Sequence, residues 1–275
     1  MLFLTGVIKL PNHLLSSLHF SGEQKRIDEL MKSVKGKDSV LDFNRIIPDA
    51  REQALCARRP CRALGLLAQP PVAESLNIEA GSRTEKGLKA YKDFVYVYTF
   101  AGTEEKDLLN IPKEKEEIFL RSRQDIRRDE WELGKTAFQN ERKYGAATWY
   151  DWARENWGTK WSAYNAEIGE DNTIMFNTAW SRAMPVIQKL AENFPDLKIE
   201  YCWADEDLGV NTGMAEFENG EVTFDEFYNA HSRDAYEFAA DLWNLDLTEE
   251  GYVFNEETRS YDYRPDEPDE SPKME

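Results

Sequence analysis

No stretch of this 275-residue chain approaches the ~18 consecutive apolar residues of a membrane-spanning helix. Met1–Leu10 (MLFLTGVIKL) is apolar but short, and it lacks the basic start and small-residue cleavage site of a secretory signal. The expectation is a soluble, cytoplasmic protein that does not engage membrane. Cysteine is scarce. Cys56 and Cys61 lie close together and Cys202 lies far away, an odd set with neither a disulfide framework nor metal-ligand spacing. Unpaired thiols in a reducing compartment fit that pattern. The three histidines, His13, His19 and His231, share no metal spacing. No serine sits in a G-x-S-x-G elbow, and Gly81-Ser82-Arg83 lacks the surroundings of a phosphate loop. These absences leave no catalytic constellation, no cofactor and no resident metal to name.

Positive charge is missing from one end. Residues 205–275 carry 22 acidic residues against four basic ones, whereas residues 1–204 balance at 30 of each. The whole net charge of −18 therefore sits in the last quarter of the chain. Such a segment repels duplex nucleic acid and anionic membrane, and it attracts a basic partner surface. A solvated tail is the plainer alternative.

Tryptophan is what the chain has in concentration. Four of its eight fall in Lys143–Trp161 (KYGAATWYDWARENWGTKW): Trp149, Trp152, Trp157 and Trp161. A buried indole wants a partner for its N–H, so this tract, with Tyr150, marks a core centre or an anchoring surface. Trp149, Trp152, Ala153 and Asn156 form one helical face, and Gly158 suits the left-handed position that ends a helix.

Periodicity places the other elements. Leu14–Phe20 alternates as a strand with Leu14, Ser16, Leu18 and Phe20 on one face. Ser21 reads as a helix N-cap with Gln24 as its capping-box partner, and Ile27, Leu30, Met31 and Val34 form the buried stripe of helix Glu23–Lys35. Ser39–Ile47 reads as a second strand, stopped at Pro48. Asp49–Val72 breaks the pattern as an inserted loop or short helix, and Asp93–Phe100 fits either a strand or a continued helix. The mixed charges of residues 103–144 predict helices interrupted near Pro112 and Gly134. Lys160–Glu167 and Thr173–Trp180 pair as a hairpin, with Ile174, Phe176, Thr178 and Trp180 on one face. Pro185 opens a helix whose stripe is Ile187, Leu190, Ala191 and Phe194. Asp196–Trp203 alternates again, and Asn219-Gly220 marks a hairpin turn. A helix with Tyr236, Phe238, Ala239 and Leu242 follows Asp225.

Split βαβ units in this order build a ferredoxin-like α+β sandwich, an antiparallel sheet with helices on one face. The predicted domains are 1–225, with a mostly helical insertion at about 49–145, then an acidic helical extension at 226–262. From Tyr263 the chain is too polar and Pro-rich to fold alone, so 263–275 is a disordered tail.

Several of these pieces resemble the YubB/Api92-like (DUF1281) family of plasmid and phage proteins. They are Pro11–His13, Asp42–Pro48 (DFNRIIP), Asn77–Leu88 (NIEAGSRTEKGL), Trp149–Trp161 and Phe176–Asp207. The resemblance implies a ferredoxin-like fold without an iron–sulfur cluster and a home on bacterial mobile elements. It carries over no catalytic residues. The ten residues before Pro11, the Asp49–Val72 stretch and the chain after about Asp225 lie outside it.

Two constellations remain. In Ala204–Gly213, Asp205, Asp207, Gly209, Asn211 and Glu216 fall at positions 1, 3, 5, 7 and 12 of a calcium loop, but Val210 stands where glycine is required. A solvated acidic tip between strands is the better reading. The basic Arg121–Arg128 stretch, with Trp161, Tyr164 and Tyr201 on strands, outlines a single-stranded nucleic-acid platform without an RNP motif. The sequence thus points to a non-enzymatic binding protein of a mobile element that engages a basic host protein or acts in counter-defence. Its acidic partner site would comprise Asp205, Glu206, Asp207, Asp266, Glu267, Asp269 and Glu270. An enzyme with an acid/base pair among the carboxylates and single-stranded nucleic-acid binding are the alternatives.

Overall fold

The computed structural model describes residues 12–48, 78, 80–99 and 111–264. The Met1–Leu10 extension, Asp49–Val72, and the tail carboxylates Asp266, Glu267, Asp269 and Glu270 lie outside the described residues. The chain forms two compact units, Met1–Ile47 with Trp157–Glu275, and Pro48–Asn156. The division falls within the tryptophan tract. Trp149, Tyr150 and Trp152 belong to the second unit, Trp157 and Trp161 to the first.

The first unit is built on β1 (His13–Ser21), α1 (Gln24–Val34), β2 (Tyr164–Ile168), β3 (Thr173–Ala179), α6 (Met184–Asn193), β4 (Lys198–Asp205), β5 (Gly213–Glu218) and β6 (Glu221–Phe227). The sheet order is β2-β3-β1-β4-β5-β6, antiparallel throughout. β3 lies between β1 and β2, and β1 lies between β3 and β4, so two split βαβ units interleave as a ferredoxin-like sheet. Alternation decides which side is buried. Leu14, Ser16, Leu18 and Phe20 face inward with Ile174, Phe176, Tyr201 and Trp203, all at most 1% exposed.

The two expected helices share that inner face. The Tyr201 hydroxyl accepts from the Ala183 N–H at the start of α6 (3.0 Å). Arg26 of α1 lies 5.1 Å from the Phe194 ring centroid at the end of α6 and pairs with Asp196. A further helix, α7 (Arg233–Trp243), lies on the opposite face. There Ala204, Leu208, Tyr236 and Ala239 form a small core, joined by the hairpin of β7 (Tyr252–Asn255) and β8 (Ser260–Tyr263). Among the described residues, the stretch after β6 up to 264 is therefore a helix plus a hairpin rather than a helical extension alone, and it covers part of the sheet face opposite α1 and α6.

Ser39–Ile47 is not a strand. Its alternating Leu41 and Phe43 do enter the core, but the Asp42 side chain accepts from the Asn44 N–H (3.0 Å) and opens a single 3-10 turn, Phe43–Arg45. That local bond competes with a ladder. The Asp42 N–H is also spent on the Val34 carbonyl at the end of α1. Ser21 does not cap α1 either. The N-cap is Glu23, with no side-chain bond, and Gln24 bonds Asp28 and Asn172 instead.

The second unit contains α2 (Ser82–Tyr98), α3 (Lys113–Ser122), α4 (Arg128–Tyr144) and α5 (Trp149–Asn156). Asp93–Tyr98 continues α2, and α3 starts directly after Pro112. Gly134 does not interrupt α4. A Cβ on Gly134 would lie 2.0 Å from the Gly87 carbonyl carbon, and one on Gly87 would lie 1.8 Å from the Glu130 oxygen. The two glycines let α2 and α4 meet backbone to backbone. Around that crossing Tyr91, Phe94, Trp131 and Phe138 pack into one core.

Candidate functional site

β1 begins where β3 and β4 end, and the three strand termini are tied together by side-chain amides. Asn12 donates to Asp205 (3.2 Å) and Asp207 (2.8 Å). Asn211, in the left-handed region at φ 47°, donates to Asp205 (3.1 Å) and to the Trp180 carbonyl (3.0 Å). The Asp207 N–H also donates to Asp205 (3.1 Å). Asp205 is 4% exposed, so its carboxylate is a buried hub that accepts three donors. Trp243 of α7 donates its indole N–H to the Asp205 carbonyl (3.1 Å).

The residue held by this hub is Trp180. Its N–H donates to the Asn12 carbonyl (3.1 Å) and its carbonyl accepts from Asn211. Its φ is +64°, in the left-handed region that a bulky L-residue rarely adopts. The sequence expectation that Trp180 continues the inner face of β3 is therefore corrected. The backbone turns at the strand end and the indole leaves the core, 42% exposed. Trp161, 39% exposed, lies beside it with ring centroids 6.2 Å apart. The Lys160 ammonium sits 4.6 Å from the Trp161 centroid and 5.1 Å from that of Trp180. Glu206 and Asp207 are exposed at the same strand termini.

His13 and Tyr164 complete this end. The Tyr164 hydroxyl donates to the Thr178 carbonyl (3.1 Å) and so accepts from His13 Nδ1 (2.7 Å). Burial, then the Glu206 charge, pushes the phenol up to about 12. Tyr164 is therefore a fixed hydrogen-bonding group at neutral pH.

The other sequence-selected residues separate. Trp152 and Trp157 are buried, and Trp157 donates its indole N–H to the Ile47 carbonyl (2.9 Å). Trp149 and Tyr150 are half-buried and contact each other edge to face. Tyr201 is sealed in the core, and burial raises its phenol to about 12. It offers no stacking surface. The opposite face of the central strands presents Ser17, His19, Met175, Asn177, Glu200 and Cys202, none of them a platform aromatic. Among the described residues no three His, Cys, Asp or Glu side chains gather as metal ligands.

Sequence reasoning missed Trp180, Lys160, Asn12 and Asn211 as partners. Asn12 stood in the Pro11–His13 element and Asn211 in the acidic loop, but nothing in spacing shows that both reach one tryptophan.

Residues 156–246 match the model of the ferredoxin-like domain in Api92-like protein. The match runs through α7, beyond the end near Asp225 expected from sequence. The crystal structure of a protein api92 from Yersinia pseudotuberculosis is similar at 12% identity and a TM-score of 0.39, over 80% of this chain and 99% of that one. No curated protein matches the chain. Residues 156–246 are thus similar to the ferredoxin-like domain of Api92-like protein.

Proposed function

We propose that this is a non-enzymatic binding protein of a bacterial mobile element, acting in the cytoplasm, that recognises a basic host protein through the clamped end of its sheet. The observation that supports this most is Trp180. A backbone in a costly conformation persists only where its surroundings over-determine it, and such strain concentrates at functional sites. Here a buried carboxylate and two amides hold an indole outside the core beside a second exposed indole. Exposed tryptophans are the residue type that most often anchors protein interfaces. The exposed Glu206 and Asp207 supply the charge that a basic surface would meet. Counter-defence is one role such binding would serve.

Asp205 does not favour the enzyme alternative. Its oxygens are occupied by Asn12, Asn211 and the Asp207 N–H, which leaves it a structural acceptor. Single-stranded nucleic acid remains a second reading, because two indoles flanking a lysine can stack a base. The sheet face itself does not serve that purpose.

The test is capture of partners from bacterial lysate by the full chain and by its Trp161→Ala/Trp180→Gly variant, with oligo-dT binding measured alongside. A basic protein retained by the wild type and lost by the variant supports the proposal. Retention by both proteins, or oligo-dT binding that the variant loses, overturns it.

A further inference from the structure

β6 closes the six-stranded sheet at one edge, and all seven of its residues are exposed. Three are large and apolar: Val222, Phe224 and Phe227, exposed by 41, 39 and 51%. Three are acidic, Glu221, Asp225 and Glu226, and none is basic. The strand is also stiffly backed. The Arg182 guanidinium lies 4.4 Å from the ring centroids of both Trp203 and Phe227, and it grips both oxygens of Asp225. Among the described residues, Glu221 and Glu226 have no ion-pair partner.

An edge strand offers alternate backbone N–H and C=O groups to any chain that can lie alongside. Proteins commonly blunt such edges with bulges, short strands or charge. β2 at the other edge is blunted in that way: it is five residues long, its register slips between Tyr164 and Glu167, and Asn165 has φ 49°. β6 is longer, spanning roughly 23 Å at ~3.3 Å per residue. Its register with β5 also shifts once, between Glu216 and Phe217, but beyond that bulge its protection is charge of one sign. That charge opposes a second copy of this chain, because two β6 edges would bring six carboxylates together. The same charge attracts a basic strand, whose apolar residues would cover Val222, Phe224 and Phe227.

We propose that the outer edge of β6 is a β-augmentation site for an extended basic segment, with Lys or Arg set among β-branched or aromatic residues. It shares the binding reading given above but uses a different surface, so the two fail separately. Backbone hydrogen bonds would supply affinity, and Glu221 and Glu226 would select the sign of the partner.

The probe is a short peptide alternating lysine with valine and tyrosine, titrated against the full chain by fluorescence anisotropy. Saturable binding is expected to weaken about tenfold or more in Glu221→Lys/Glu226→Lys, with the milder Glu221→Gln/Glu226→Gln falling between. N-methylation of alternate peptide nitrogens, which keeps the charge and removes ladder donors, should abolish binding. Trp161→Ala/Trp180→Gly should bind the peptide as the wild type does. Absence of binding to the wild type, or equal affinity for the N-methylated peptide, overturns the proposal. Dimerisation of the free chain that the charge reversal alters would also overturn it, by making a second copy the occupant.

Discussion

At the scale of single residues, the tryptophans take opposite parts, and substitution should separate them. Trp157 is buried with its indole N–H satisfied, so Trp157→Ala should cost about 3–5 kcal/mol in denaturant unfolding. Trp180→Gly should behave differently. It relieves a left-handed backbone worth about 1–2 kcal/mol and gives up a ring contact worth about 0.5–1.5 kcal/mol. The two nearly cancel, so stability should stay within about 1 kcal/mol of wild type while partner capture is lost. A Trp180→Gly protein destabilised as far as Trp157→Ala would show that residue 180 is an ordinary packing position. Asp205→Asn tests the hub beneath it. The new amide keeps one acceptor oxygen, so its NH2 would meet donor to donor either Asn211 or, flipped, Asn12 and the Asp207 N–H, at a cost of about 1–3 kcal/mol. Trp180 emission should shift to the red as its clamp loosens.

Elements show how far sequence carries and where it stops. β1, β3, β4 and both inner-face helices were legible because each presents one apolar face at a fixed period, and burial follows that period. Ser39–Ile47 has the same alternation without forming a strand, because one side-chain acceptor at Asp42 and a carbonyl at the end of α1 take its donors. Gly134 was misread for a related reason. Glycine weakens a helix on propensity alone, yet here only a missing Cβ allows the α2–α4 crossing. The site was hardest to read, because Asn12, Trp180 and Asn211 meet only through the sheet order. The crossing makes a prediction: Gly87→Ala should unfold the second unit at markedly lower temperature by prising α2 from α4, and leave the first unit's transition in place. Glu130, on the same crossing, makes another. Its carboxyl is held below the usual range by the Arg127 N–H, then by Lys86. A lowered folded value means stability that is present above the unfolded value, near ~4.3, and lost as pH falls through the folded one. Glu130→Gln should therefore flatten the acid limb of that unit's stability profile, and an unchanged limb would remove Glu130 from it.

Over the whole molecule the charge divides as the units do. Pro48–Asn156 holds 19 acidic and 19 basic residues, whereas the remainder of the chain carries the entire −18. The neutral unit is laced with ion pairs: Lys135 to the buried Glu116 (2.5 Å), Lys86 to Glu130 (3.1 Å), Lys92 to Glu141 (2.8 Å) and Arg128 to Glu117. Salt should act on the two with opposite sign. Self-repulsion destabilises a folded unit of high net charge, and shortening the Debye length from about 30 Å at 0.01 M to about 8 Å at 0.15 M screens it. The first unit should therefore melt higher as salt is added. Exposed ion pairs are each worth only about 0–1 kcal/mol and are screened by the same ions, so the second unit should melt at the same temperature or slightly lower. Two transitions are the measurement this requires, and separate units commonly supply them. Gly87→Ala assigns the second unit's transition by moving it alone. Calorimetry at low and physiological salt should then show the two melts diverging. If both rise together, or one cooperative transition persists in the variant, the charge partition does not govern stability and the units unfold as one.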